Sequence, residues 1–372
     1  NYNGTMTFAN GQFIASGGKG KTGKATGNVV VTAPVTAPFR LSNSYGNAED
    51  PQGFVWDMSF AGAEDVGLAV ASGAADKNRD WTFAGDLSGY RGSLDFSVGN
   101  TKLTFGADTG ATAMNALTLG SNMEVSLENV TAPLSAKTLT VPASIIFNLS
   151  VATDGTVVRS ASLAYQTLVH PDNAKVTLEL ADFAPPSASV EDQVVRLVLV
   201  RAANGGLEQE LFELDLGTGS AAAHFKELII EDGDGQSLVA VFEYAGDTSY
   251  YLDSKATAGR DVWKNILGET SPTGVLAPES AGTDFAVTGG KYLELGLSTD
   301  SLGQTFYGKS IRFGEVGGTT GNLYIDSQYA RCYNVFAAPL VLANGFVNFY
   351  GSAGNRICRF EATATVTAPA SA

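Results

Sequence analysis

Carboxylates are the residues in this chain best able to do chemistry. Asp57, Glu64, Asp65, Asp76, Asp80 and Asp86 are scattered through Asp50–Asp86. A pair of them could serve as acid and base on a glycosidic bond, or hold Ca²⁺. Their spacing selects no pair, and solvated turns account for them better. Asp232 and Asp234, in "EDGDGQ", are the calcium candidates of the second half. The distal bidentate Glu of a calcium loop is missing there, and a tight hairpin turn explains the stretch better. His170 precedes Pro171 and reads as a turn residue; His224, in "AAAHFKEL", reads as structural or exposed. No Gly-x-Ser-x-Gly elbow or Walker-type loop occurs. Tyr244, Tyr250, Tyr251 and Trp263 could stack on sugars, though a core role suits them better. No catalytic residue and no cofactor is therefore assigned.

The two cysteines, Cys332 and Cys358, are 26 positions apart. That is close to one coil plus a loop in a stacked β-structure. Neighbouring rungs come within disulfide reach, so a cross-rung bridge and two buried thiols are both open. No Cys/His grouping suggests zinc.

These groups need a scaffold, and composition restricts it. Of 372 residues, 44% are hydrophobic but only 16% charged, against roughly 25% in an average soluble protein. Small neutral polar residues cover such a chain, a habit common in extracellular β-proteins. The net charge of −15 repels phosphate backbones, which argues against nucleic acid as a partner. Lys19, Lys21 and Lys24 form a local basic cluster among glycines and read as a solvated turn. No stretch approaches the ~18–20 apolar residues of a membrane helix. The sequence starts at Asn1 with no apolar leader, so a processed start or a start inside a longer polypeptide is expected.

Period-two patterning dominates. "TMTF" (Thr5–Phe8), "NVVVTA" (Asn28–Ala33), "SLDFSV" (Ser93–Val98), "TKLTFG" (Thr101–Gly106), "KTLTV" (Lys137–Val141), "SIRFG" (Ser310–Gly314) and "NLYID" (Asn322–Asp326) are short strands closed by turn residues. "RDVWKNIL" (Arg260–Leu267) is the best candidate for a short helix, and "GSAAAHFKELII" is ambiguous. The expected fold is all-β: parallel β-helix segments with an antiparallel β-rich insert, and β-sandwich repeats as the alternative. Three domains are expected: residues 1–186 as a β-helical segment, 187–253 as an antiparallel hairpin subdomain, and 254–372 as the start of a second β-helical unit. The insert is assigned one hairpin around Asn-Gly-Gly, within Val194–Gly217, and another around Asp-Gly-Asp-Gly, within Leu228–Gly246.

The chain also repeats itself. Tyr-x-Gly-x-Φ-x-Phe occurs from Tyr2 and again from Tyr90, Val-Thr-Ala-Pro follows at Val31 and at Val130, and a third Val-Thr-Ala-Pro stands at Val366. On a longer scale, "ANGQFIASGGKGKTGKATGNVVVTAPVTA" (Ala9–Ala37) matches "ANGFVNFYGSAGNRICRFEATATVTAPASA" (Ala343–Ala372) at both ends. Ala9 to Ala343 is a shift of 334 and Thr32 to Thr367 a shift of 335, so one inserted residue reconciles them. The pattern implies a unit of about 335 residues, followed by the start of another.

Trp81–Gly106, "WTFAGDLSGYRGSLDFSVGNTKLTFG", resembles the autotransporter-associated β-strand repeat, with Asn1–Gly17 as a second copy lacking its front half. "GKSIRFGEVGGTTGNLYI", after the Trp263 loop, resembles the start of another passenger segment. The resemblance implies the β-helical passenger of a large, secreted or surface-displayed bacterial protein. The expected function is structural or adhesive, at an extracellular surface. Partners would be copies of the chain or the next repeat, end to end, together with surface glycans or host ligands. The junction is expected at Val366, Thr367, Ala368 and Pro369, through strand addition near Ala362–Ala372. A polysaccharide lyase or hydrolase and a calcium-stabilised binding module are the alternatives.

Overall fold

The computed structural model describes residues 4–15, 23–43, 52–72, 79–97, 101–106, 112–121, 123–130, 132–154, 157–160, 163–180, 189, 191–218, 220–254, 262–272, 278–295, 305–316, 318–325, 333–349, 357–361 and 363–367. It separates into two units, one of residues 1–187 and 194–244, the other of residues 188–193 and 245–372.

In the first unit the chain alternates between two sheets. Thr5–Phe8, Gly23–Val31, Gln52–Gly62, Arg79–Phe83, Thr101–Phe105, Met123–Ser126, Ser144–Leu149, Lys175–Leu180 and Phe212–Asp215 lie side by side in one. Gln12–Ala15, Phe39–Asn43, Gly67–Ser72, Ser93–Phe96, Thr112–Leu119, Leu134–Thr140, Leu163–Val169 and Gln193–Ala202 lie side by side in the other. The ladders between these neighbours are parallel. Each circuit of the chain thus adds one rung to each sheet, the geometry of a parallel solenoid. A sandwich of hairpin-linked strands would give antiparallel ladders instead.

Parallel register places like positions of successive coils above one another. Phe54, Trp81, Leu103, Val125, Phe147 and Leu178 form one inward file, and Phe39, Leu68, Leu94, Leu117 and Leu139 form another. All are buried in one continuous core. The alternate file Thr82, Thr104, Ser126 and Asn148 is polar, half-buried at Thr82, Thr104 and Asn148 and buried at Ser126. This is the period-two pattern of the sequence read perpendicular to the strands.

The Tyr-x-Gly motif has a definite role. Tyr90 is fully buried at a corner, and its hydroxyl donates to the Ser93 carbonyl at 2.7 Å. Gly92 makes room for it, because a Cβ there would stand 2.5 Å from the Val66 carbonyl oxygen and 2.8 Å from the Tyr90 hydroxyl. Tyr2, its counterpart in the first copy, lies outside the described residues.

The stretch assigned to an antiparallel subdomain is divided. The Asp-Gly-Asp-Gly hairpin forms: Phe225–Gly233 pairs antiparallel with Gly235–Tyr244 at the edge of the second sheet. The Asn-Gly-Gly hairpin does not. Gln193–Ala202 pairs in parallel with Leu163–Val169, and Phe212–Asp215 with Lys175–Leu180 in the other sheet. The turn is a solenoid corner, because burying Leu197, Leu199, Leu211 and Phe212 against the preceding coil outweighs the local hairpin preference. Ser220–His224 is a single helical turn leading into the hairpin. A second hairpin, Val151–Asp154 with Val157–Ser160, leaves the coil between two rungs.

The second unit winds through three sheets. Tyr250–Ser254, Asp284–Val287, Ser310–Phe313, Leu340–Leu342 and Ala364–Val366 stack in the first, Tyr292–Leu295, Asn322–Ile325 and Val347–Phe349 in the second, and Thr305–Phe306, Tyr333–Phe336 and Ile357–Phe360 in the third. Their ladders are parallel. The helix expected at Arg260–Leu267 is instead a strand, Val262–Lys264, antiparallel to Tyr250–Ser254. Trp263 decides this: it is 2% exposed and meets Phe285 edge-on at 5.1 Å, in a core with Phe313, Leu323 and Phe336. At the corners, Gly321 packs so closely that a Cβ would stand 1.7 Å from the Val287 carbonyl oxygen of the preceding coil.

Candidate functional site

The sequence-derived candidates do not converge. Asp57 is paired with Lys24 at 2.6 Å and Glu64 with Lys137 at 2.7 Å, both at the surface. Asp86 accepts the Ser88 backbone N–H at 2.7 Å, and hydrogen bonds from Ser88 hold its carboxyl below the usual range. Asp65 is an exposed turn residue whose carbonyl accepts the Val35 N–H. Asp76, Lys19 and Lys21 lie outside the described residues, and Asp80 is described only as part of the Arg79–Phe83 strand.

Asp232 and Asp234 sit on the tip of the Phe225–Tyr244 hairpin, both exposed. The Gln236 side-chain amide donates to Asp232 at 3.0 Å and accepts the Leu207 N–H at 2.9 Å, tying the tip down. Among the described residues no three His, Cys, Asp or Glu side chains group as a metal site would require. His170 faces the Pro171 carbonyl at 3.0 Å and Glu208 at 3.7 Å. His224 lies over the ring of Tyr244 at 4.4 Å, with Nδ1 3.1 Å from the Glu243 carbonyl. Tyr244 and Trp263 are buried, so neither presents a face to a sugar; Tyr250 is half-buried against Phe285. Cys332 lies outside the described residues. Cys358 is placed only by its backbone, level with Asn334 of the preceding coil.

One polar cluster joins the candidate Tyr251 to Asp247 and Arg312, which sequence reasoning did not single out. Tyr251 donates to Asp247, and Arg312, two rungs along the same sheet, donates to the Tyr251 hydroxyl at 3.4 Å. Burial pushes the Tyr251 phenol up to about 12, assisted by Asp247. Burial opposes ionisation of Asp247, yet hydrogen bonds from Tyr251 and Ser249, with the Arg312 charge, hold its carboxyl below its ordinary value. A carboxylate so engaged supports a corner rather than acting on a substrate.

The other distinctive feature is apolar. Phe313, Leu342, Phe346, Val347 and Val366 line a groove of about 180 Å³ in the second unit. Phe346 is 49% and Val366 69% exposed, so contiguous hydrophobic surface faces solvent there. Of the expected junction residues, Val366 lines this groove and Thr367 donates its N–H to the Leu342 carbonyl at 3.0 Å; Ala368 and Pro369 lie outside the described residues. Leu342, Phe346 and Val347 are site residues that sequence reasoning missed. The signal was the Ala-Asn-Gly match, which they flank.

The two matching segments are built alike. Met6 pairs with Val29 and Phe8 with Val31; Leu340 pairs with Ala364 and Leu342 with Val366. The Thr32 N–H donates to the Phe8 carbonyl at 2.9 Å, as Thr367 does to Leu342. Gly11 and Gly345 share positive φ, 106° and 132°. Gly27, φ 128°, lies within the single strand Gly23–Val31, where the second copy has two separate strands, Ile357–Phe360 and Ala364–Val366.

A scan of protein-family models, a search of curated proteins and a search of solved structures each give no match.

Proposed function

We propose that this chain is a structural or adhesive component of an extracellular, bacterial cell surface, one unit of about 335 residues in a longer repetitive rod or filament. The observation that carries the reading is the recurrence of one corner: the register, the threonine hydrogen bond and the left-handed glycine around Ala9–Gly11 return around Ala343–Gly345. A unit whose coil recurs after 334 positions is suited to tandem extension, because each coil buries its faces against its neighbours. The low charge and the alternation of apolar files with polar ones such as Thr82 and Thr104 suit a role performed by shape and polar surface. Length and ladder hydrogen bonds do the work, end-to-end contacts join units, and the autotransporter-like repeat at Trp81–Gly106 is the sequence support for surface display.

The test is the mass of the intact polypeptide from its native source, under reducing denaturation. A mass well above 38.6 kDa, rising in steps of one unit, is expected. A single species near 38.6 kDa overturns the tandem rod.

A further inference from the structure

The Asn-x-Ser/Thr pattern, the acceptor of N-linked sugar on surface loops of secreted proteins, occurs three times, at Asn3-Gly4-Thr5, Asn129-Val130-Thr131 and Asn148-Leu149-Ser150. Asn3 and Thr131 lie outside the described residues. The two later asparagines have opposite settings on neighbouring coils. Asn129 is exposed at a corner, in a turn closed by the Val130 N–H, which donates to the Leu127 carbonyl at 3.1 Å. Leu127 and Val130 are both buried, so the chain is pinned on either side and turns Glu128 and Asn129 out to solvent. Asn148 lies inside the strand Ser144–Leu149, level with Ser126 on one side and Glu179 on the other. Its amide nitrogen donates to Glu124 at 2.7 Å, and its Oδ1 is buried.

We propose that Asn129 is the site of an N-linked glycan and that Asn148, which carries the same sequence signal, is not one. The proposal rests on the extracellular reading above. The substrate class is a sugar activated by a diphosphate at its anomeric carbon. The Asn129 side-chain nitrogen attacks that carbon, and the carbon–oxygen bond to the diphosphate breaks. The diphosphate leaves with the electron pair, and one amide proton passes to a base of the transferase. An unfolded chain offers both asparagines equally, and folding separates them. A sugar on Asn129 projects from a corner and leaves the ladder between Met123–Ser126 and Ser144–Leu149 intact. A sugar on Asn148 must stand between Ser126 and Glu179 and displaces the amide from Glu124, which destabilises the rung. Of the three Val-Thr-Ala-Pro copies, only the one at Val130 directly follows an asparagine. The glycan therefore marks one copy of the recurring motif.

The test is glycopeptide mass spectrometry of the folded protein from its native host, with fragmentation that leaves sugars on their residues. Trypsin separates the two signals, onto the peptides Leu103–Lys137 and Thr138–Arg159. A sugar mass localised to Asn129 is expected on the first, and none on the second. Asn129→Gln and Thr131→Ala, each produced in that host, are expected to lose the sugar, and Thr131→Ser to keep it. Asn129 is exposed, so Asn129→Gln keeps its fold, as unchanged circular dichroism will show. A first peptide recovered only unmodified overturns the proposal. So does a sugar on Asn148 of the folded protein, or one on a serine or threonine that survives Asn129→Gln. Protease shaving of intact cells reads the surface location separately. An unmodified Asn129 on a chain that shaving removes loses the glycan and keeps the surface reading. A sugar on Asn129 of a chain that shaving never reaches keeps the glycan and loses the surface reading.

Discussion

The hydroxyl of Tyr90 donates to the carbonyl of Ser93, 2.7 Å away, across a corner closed by Gly92. The Tyr-x-Gly motif is therefore a unit: the ring fills the corner, the glycine admits it, and the phenol satisfies a backbone acceptor. Tyr90→Phe keeps the ring and loses the bond, and is expected to cost about 1 kcal/mol of first-unit stability. Gly92→Ala is expected to cost more, since its Cβ meets backbone rather than a side chain that can turn away. Denaturant melts of the two variants give the order; a costlier Tyr90→Phe would refute the account.

The aromatic file can be tested by deletion. Phe83 is fully buried, with Phe60, Phe96 and Phe105 around it at 5.9, 5.8 and 6.2 Å. Phe83→Ala should lower stability by about 3–5 kcal/mol, because three stacked coils cannot collapse independently into the space. Phe83→Leu should recover much of this.

In the second unit, Gly321→Ala forces a Cβ against the Val287 carbonyl. A loss of about 3 kcal/mol is expected. Limited proteolysis should then show cleavage within 245–372 before cleavage within the first unit.

The Tyr251–Asp247–Arg312 cluster predicts a pH dependence with two limbs. The Tyr251 phenol is raised in the folded chain to about 12, so its contribution is complete below its unfolded value of about 10 and is lost as pH rises through the folded one. Asp247 is depressed, so its contribution is present above the ordinary carboxylate value and is lost as pH falls through the lower, folded one. Burial also pushes the Tyr165 phenol up to about 12, so the two share a late step in an ultraviolet titration. Tyr251→Phe should reduce the amplitude of that step and leave the earlier one unchanged. A late step identical in both proteins would contradict the assignment.

The strand class was legible because period-two alternation survives in any half-buried sheet. Ser93–Phe96 and Thr101–Phe105 could be read directly, and the parallel architecture was inferred from the recurrence of Tyr-x-Gly and Val-Thr-Ala-Pro. Three things were not legible. Asn204-Gly205-Gly206 carries the same turn chemistry in a hairpin and in a solenoid corner, and only the coil beneath it chooses. Val262–Lys264 has helical spacing, but its tryptophan is claimed by Phe285. The Tyr251–Arg312 hydrogen bond joins residues 61 positions apart, which no local pattern shows. The groove was half legible: the repeated Ala-Asn-Gly pointed to the corner, but its exposure depends on which side a coil covers.

Successive rungs of the first unit are separated by as few as 22 residues, from Arg79 to Thr101, and by as many as 37, from Leu163 to Val200. The ladders keep their register throughout, and the surplus residues leave at the corners, in one case as the Val151–Ser160 hairpin. A coil therefore tolerates insertion almost without penalty to the rungs above and below. The files of buried side chains are held constant while the corners are free to diversify. Natural selection can alter what the molecule displays to its surroundings at those corners, through changes in length as well as in sequence, without renegotiating the fold.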